Sequence, residues 1–260
     1  MTELSRGSVF LGVSLKMYLD HAATLRWVTD VVAIAGRAPA VVDGRVRLVV
    51  VPTFVSIDAV SAITRNSPVD HGAQDLAWAD DGAFTGEVSG RDLAALGCRY
   101  VEIGHAERRM LFGEDDKIIA AKLAAAVRNG LVPILCVGET DHLDPVAAAD
   151  VCTRQVVSAL AEVDGGAGEV IIAYEPVWAI GADRPAGVDH VRAVCAGIRD
   201  GIGDDHRLSR FQVIYGGSAG PGLLTELGSN AVDGLFLGRF AHDPAALATI
   251  IDEASALATG

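Results

Sequence analysis

The stretch EVIIAYEPVWAIGAD, residues 169–183, carries five uncharged residues between Glu169 and Glu175 and then turns at Pro176. Val170 to Tyr174 are apolar nearly without alternation, as in a parallel strand buried on both faces. Working outward, seven more runs of this kind appear: SVFLGVSL (8–15), RLVVVPTF (47–54), VDHGAQ (69–74), YVEIGH (100–105), LVPILCVG (131–138), FQVIYGGS (211–218) and DGLFLGR (233–239). Helical patterns separate them. DKIIAAKLAAAVRNG (116–130) stops at Asn-Gly, and DPVAAADVCTRQVVSALAEV (144–163) and DPAALATIIDEASALA (243–258) both open on Asp-Pro, a good helix start. Eight strands alternating with helices imply a (β/α)8 barrel or an open doubly wound sheet. An open sheet for a dinucleotide usually begins with a G-x-G-x-x-G turn, whereas the first strand here ends in Lys16-Met17-Tyr18. Count and length favour the barrel, as a single α/β domain over residues 1–260, since no linker rich in Pro, Ser or Gly divides the chain.

Half of the 260 residues are apolar, enough for a large core, and only 5% are aromatic. The net charge of −13 argues against nucleic acid as a partner, because phosphate backbones need basic surfaces. An anionic ligand would therefore need a local positive potential. The four cysteines form no CxxC pair or metal-like cluster, which reads as free thiols in a reducing compartment. No signal peptide is apparent and no apolar run approaches about 18 residues. These features predict a cytoplasmic enzyme without membrane contact.

A barrel of this kind collects its functional groups at the C-terminal ends of its strands. Lys16, Gln74, His105, Glu139, Glu175 and Ser218 all fall at or just after such ends. Burial of Glu175 beside apolar walls would raise its pKa and make it a stronger base. Pro176, Val177, Trp178, Ala179 and Ile180, followed by Gly181, form an apolar tip flanked by Pro and Gly, which suits a closing lid. His105 precedes AERR, which reads as the first turn of a helix; the positive helix end disfavours an imidazolium, and a neutral ring can donate to a substrate oxygen. A lone strand-end His or Glu serves equally well in an ordinary ion pair. YGGSAGPG (215–222) and DGLFLGRF (233–240) each place Gly directly after a strand, where backbone N–H groups can cradle phosphate.

Taken together, GAFTGE (82–87), VEIGHAERR (101–109), ILCVGET (134–140), AYEPVWAIG (173–181) and YGGS (215–218) resemble the triosephosphate isomerase family, in its order and over nearly the whole chain. The resemblance implies a TIM barrel and an isomerase acting on a small anionic sugar phosphate through a cis-enediolate, without metal or organic cofactor. By the same resemblance, Glu175 is the base that moves the proton between carbons. His105 is the neutral electrophile. Lys16 is the cation that attracts the substrate, and Glu107 supports it. Gly181, Ser218, Gly238 and Arg239 supply backbone N–H groups to phosphate, and residues 176–181 close over the site. The loop around Thr85 would cross into a second subunit, giving a homodimer.

The sequence departs from the family at several places. Ser14-Leu15-Lys16-Met17-Tyr18 stands where Asn-Trp-Lys-Met-Asn is usual, so a hydroxyl at Ser14 replaces a substrate-touching amide. Gln74 is followed by Asp75 rather than Asn, Arg239 follows Gly238 where a second Gly is usual, and Asp183 and Arg184 alter the lid tip. The loop before GAFTGE and the Gly-Arg turn resemble a branch of the family associated with erythritol breakdown, which converts L-erythrulose 1-phosphate to D-erythrulose 4-phosphate. The resemblance thus implies triosephosphate isomerase chemistry on glyceraldehyde 3-phosphate and dihydroxyacetone phosphate, with the tetrulose phosphate conversion as the alternative. An inactive phosphate-binding barrel is the third alternative, opposed by the retained Lys16, His105 and Glu175.

Overall fold

A computed structural model describes residues 8–180 and 186–258. Gly181, Asp183 and Arg184 lie outside the described residues. The strands are Val9–Ser14 (β1), Val46–Val51 (β2), Val69–Ala73 (β3), Tyr100–Ile103 (β4), Val132–Val137 (β5), Gly168–Tyr174 (β6), Leu208–Tyr215 (β7) and Gly234–Leu237 (β8). Each pairs in parallel with the next, and β8 returns to β1, so the sheet closes into the (β/α)8 barrel that the alternation predicts. The seventh strand begins earlier than its apolar run, because Leu208 pairs with Gly168 across an irregularity in the ladder.

The helices start where the capping chemistry puts them. The carboxylate of Asp115 accepts from the Ile118 N–H ahead of Asp116–Arg128, and Asp144 and Asp243 cap Pro145–Ala159 and Pro244–Leu257 in the same way. The longest apolar cluster fills the layer between sheet and helices. A second cluster, including Phe10, Val49, Tyr100, Ile134, Ile171, Ile214 and Phe236, fills the barrel interior. Phe236 occupies the space above Gly12, where a Cβ would lie 2.6 Å from its ring. Strand alternation then decides which neighbours share the interior: Phe10 with Ser14, Tyr100 with Glu102, Ile134 with Cys136. The polar members of this set sit toward the C-terminal strand ends and form the base of the site. All four cysteines are buried free thiols, and among the described residues no helix is long and apolar enough to cross a membrane.

Candidate active site

A cavity of about 210 Å³ opens at the C-terminal ends of the strands. Its lining includes Ser14, Lys16, Glu102, His105, Glu107, Glu175, Ile180, Ser218, Gly238 and Arg239. The sequence-predicted polar residues therefore converge, apart from Gln74 and Glu139, which support the site from behind.

Lys16 follows β1 with φ of 46°, a left-handed backbone that a residue with a Cβ adopts at some cost. The Gln74 amide holds this turn: its Nε2 donates to the carbonyls of Lys16, at 2.9 Å, and Val51, at 3.0 Å. The ammonium thus reaches Glu107, with Nζ 2.9 Å from Oε1. Burial opposes the Lys16 charge, but the Glu107 hydrogen bond and the fields of Glu107, Glu175 and Glu102 outweigh it and raise the pKa.

His105 lies two residues beyond β4 and caps the short helix Ala106–Phe112. Its Nδ1 accepts from the Glu107 N–H at 3.1 Å, which leaves Nε2 as the protonated nitrogen of a neutral ring. Burial, joined by the nearby Lys16 charge, pushes the imidazole down to about 4. Glu175 follows β6, and its Oε2 lies 3.5 Å from His105 Nε2, too far for a hydrogen bond; that oxygen is buried and has no hydrogen-bond partner among the described residues. Cys136 Sγ approaches Oε1 at 3.5 Å. Gly216 presses against this side chain, since a Cβ there would fall 2.7 Å from Glu175 Cγ. Burial, then the negative charge of Glu102, pushes the Glu175 carboxyl up to about 8. An unpartnered, buried carboxyl beside a neutral imidazole is an arrangement suited to taking a proton from carbon.

The glycine-bearing turns after β7 and β8 also line the cavity. Ser218 follows Gly216-Gly217 after β7, and Gly238 follows β8. The Arg239 guanidinium leaves the turn to sit 5.8 Å from the centre of the Tyr18 ring, so the residue that replaces a small one stacks on another unusual residue. The base of the lid is latched: Trp178 Nε1 and the Tyr174 hydroxyl donate to Glu139 Oε1 at 2.7 and 3.0 Å, and His142 packs 4.3 Å from Trp178 between ring centres. Asp75 does not enter the cavity. It is buried and pairs with Lys122, at 2.7 Å, and Arg108, at 2.8 Å, fixing the start of the third loop to the neighbouring helices.

Glu102 is the residue that sequence reasoning missed. It is 3% exposed, and its Oε2 accepts from Ser14 Oγ at 2.8 Å. Burial pushes it up to about 7 despite that hydrogen bond. The available signal was a carboxylate inside the apolar run YVEI, where charge is seldom fully buried without use.

The titration of Glu175 gives a direct expectation. Acting as the base that the sequence leads us to expect, Glu175 would react as its carboxylate, so kcat/KM should rise about tenfold per pH unit and level off only above about 8, while His105, at about 4, stays neutral throughout. Steady-state rates across this range check it, and a plateau already reached by about pH 6 would contradict it.

The sequence is similar to those of known proteins. The family described as Triosephosphate isomerase matches residues 9–254. An L-erythrulose-1-phosphate isomerase of Pectobacterium atrosepticum is 49% identical over 258 residues, covering 98% of this chain and 99% of the relative. A triosephosphate isomerase of Moorella thermoacetica is 42% identical over 219 residues, covering 82% and 88%. An L-erythrulose-1-phosphate isomerase of Rhizobium etli is 43% identical over 204 residues, covering 76% of each chain.

Proposed function

The chain belongs to the triosephosphate isomerase family and is an isomerase, and from that premise we propose that it interconverts L-erythrulose 1-phosphate and D-erythrulose 4-phosphate. The observation that carries the reaction type is the single cavity into which Lys16, His105 and Glu175 all open. The full-length similarity to the Pectobacterium isomerase supports the four-carbon substrate.

In this reading the phosphate rests on backbone N–H groups around Ser218, Gly238 and Arg239. The Glu175 carboxylate takes the proton from C3. The C3–H electron pair forms the C2–C3 double bond, and the C2 carbonyl electrons move to oxygen. Lys16 and the Nε2–H of His105 stabilise that oxyanion, and His105 relays a proton between the two oxygens. Glu175 returns its proton to C2 as the carbonyl re-forms at C3. Glu107 pairs with the Lys16 ammonium and positions it. Closure of residues 176–180 keeps water out while the enediolate exists. The Moorella similarity favours a second reading, in which the same steps act on triose phosphates.

Proton NMR of L-erythrulose 1-phosphate incubated with the protein in D2O tests the proposal. The 4-phosphate isomer should form with deuterium at the carbon that receives the proton. Failure to form it, while triose phosphates interconvert, would transfer the assignment to the second reading.

We also infer a homodimer through the third loop. Residues 81–87 are exposed and include Thr85; Phe84 is exposed and packs edge-on against the equally exposed Trp78, with ring centres 5.7 Å apart. Met110, Leu111 and Phe112 are also exposed, an unusual apolar load for a monomer surface. Light scattering should give twice the 27.0 kDa chain mass, and Phe84→Glu should shift it toward the chain mass. A wild-type monomer at micromolar concentration would remove this inference.

A further inference from the structure

Ser14 and Glu102 have no part in the proton transfer described above, yet both line the cavity. They come from β1 and β4, which are not neighbours in the barrel, so their 2.8 Å hydrogen bond spans the interior below the strand ends. Ser14 is 4% and Glu102 3% exposed. A carboxylate buried this far costs stability, and one hydroxyl donor offsets only part of that cost. Tyr100, its inward-facing neighbour along the strand, belongs to the apolar filling of the barrel, so Glu102 marks the boundary between packed core and open cavity.

The turns after β7 and β8 and the Ser14–Glu102 pair all line this cavity, and β4, which carries Glu102, stands across the barrel from β8 in the strand order. A tetrulose phosphate differs from a triose phosphate by one hydroxymethyl group, carried on the reacting carbon farther from phosphate. Resting on the sugar-phosphate reading above, we propose that Ser14 and Glu102 form a subsite for that hydroxymethyl group. The carboxylate accepts from the substrate hydroxyl while Ser14 Oγ, still donating to Glu102, offers its lone pairs. A three-carbon substrate leaves this buried polar pair without its partner, which is the kind of mismatch that discriminates strongly between substrates. The pair is therefore a specificity determinant.

The competing role for Glu102 is to raise the proton affinity of Glu175 by charge alone. Ligands that undergo no reaction separate the two. Calorimetric titration at pH 8 would compare erythritol 4-phosphate, a four-carbon polyol phosphate, with glycerol 3-phosphate, its three-carbon counterpart. The wild-type protein should bind the four-carbon ligand about tenfold more tightly. Glu102→Leu should bring the affinity ratio close to one, and Ser14→Ala, a smaller change that spares the fold, should lower it about threefold. An unchanged ratio in folded Ser14→Ala and Glu102→Leu proteins would overturn the subsite while leaving the isomerase reading intact. Binding of neither ligand by the wild-type protein would overturn the sugar-phosphate reading, and the subsite with it.

Discussion

Glu175→Gln is expected to reduce kcat by roughly 10⁴-fold, with KM changed far less. The amide keeps the shape of the carboxyl, so the packing of Gly216 against Cγ and of Cys136 near Oε1 survives. What disappears is the capacity to hold the proton between its two carbon positions. The rise of kcat/KM toward pH 8 should vanish together with the rate, because Glu175 carries that titration. Glu175→Asp adds a positional test: withdrawing the carboxylate by about one bond length should cost on the order of 10²-fold in kcat. A Glu175→Gln protein that folds and retains more than about a tenth of the wild-type rate would contradict the assignment of the base.

Lys16→Met is the second large effect, expected near 10³-fold in kcat/KM. With a net charge of −13, the chain as a whole repels a phosphorylated sugar. Among the described residues, three carboxylates, Glu102, Glu107 and Glu175, line the cavity against two cations, Lys16 and Arg239, and Arg239 is stacked on Tyr18. Lys16 is thus the cation that sits among the reacting groups. Methionine keeps most of the chain length while removing the charge and the pair with Glu107, which is 39% exposed in its side chain and loses little stability when freed. Lys16→Arg should rescue poorly, since the larger fork must start from the same φ of 46° and share the same Glu107 oxygen. Rates with Lys16→Met close to wild type would remove the lysine from the mechanism.

The parts of the structure legible in the sequence are those fixed locally. Apolar runs of strand length, each followed by a helical period, leave few architectures besides the barrel. Lys16, His105 and Glu175 were visible because each interrupts or ends such a run, at the end of a strand where this fold places its chemistry. The neutral state of His105 was also legible, because Ala106-Glu107-Arg108-Arg109 announces the helix whose first N–H groups face the ring.

Other features depend on which residues meet across the barrel. Glu102 sits within YVEI, and the run does not reveal whether position 102 points into the barrel or toward the helices. Closure decides this, bringing it to Ser14 over a separation of 88 residues. Asp75 looked like an alteration of the site next to Gln74, whereas alternation turns the two side chains apart: Gln74 braces Lys16, and Asp75 joins Lys122 and Arg108 outside the cavity. Arg239 finds Tyr18 from the opposite end of the chain. In each case the residue type was plain, and its partner was set by tertiary contact.

We propose that the Lys16, His105 and Glu175 set works on a four-carbon ketose phosphate. The most direct test is kcat/KM measured for L-erythrulose 1-phosphate and for glyceraldehyde 3-phosphate with one preparation at pH 8. The tetrulose phosphate should be preferred by about tenfold or more. A preference of that size for the triose phosphate would contradict it.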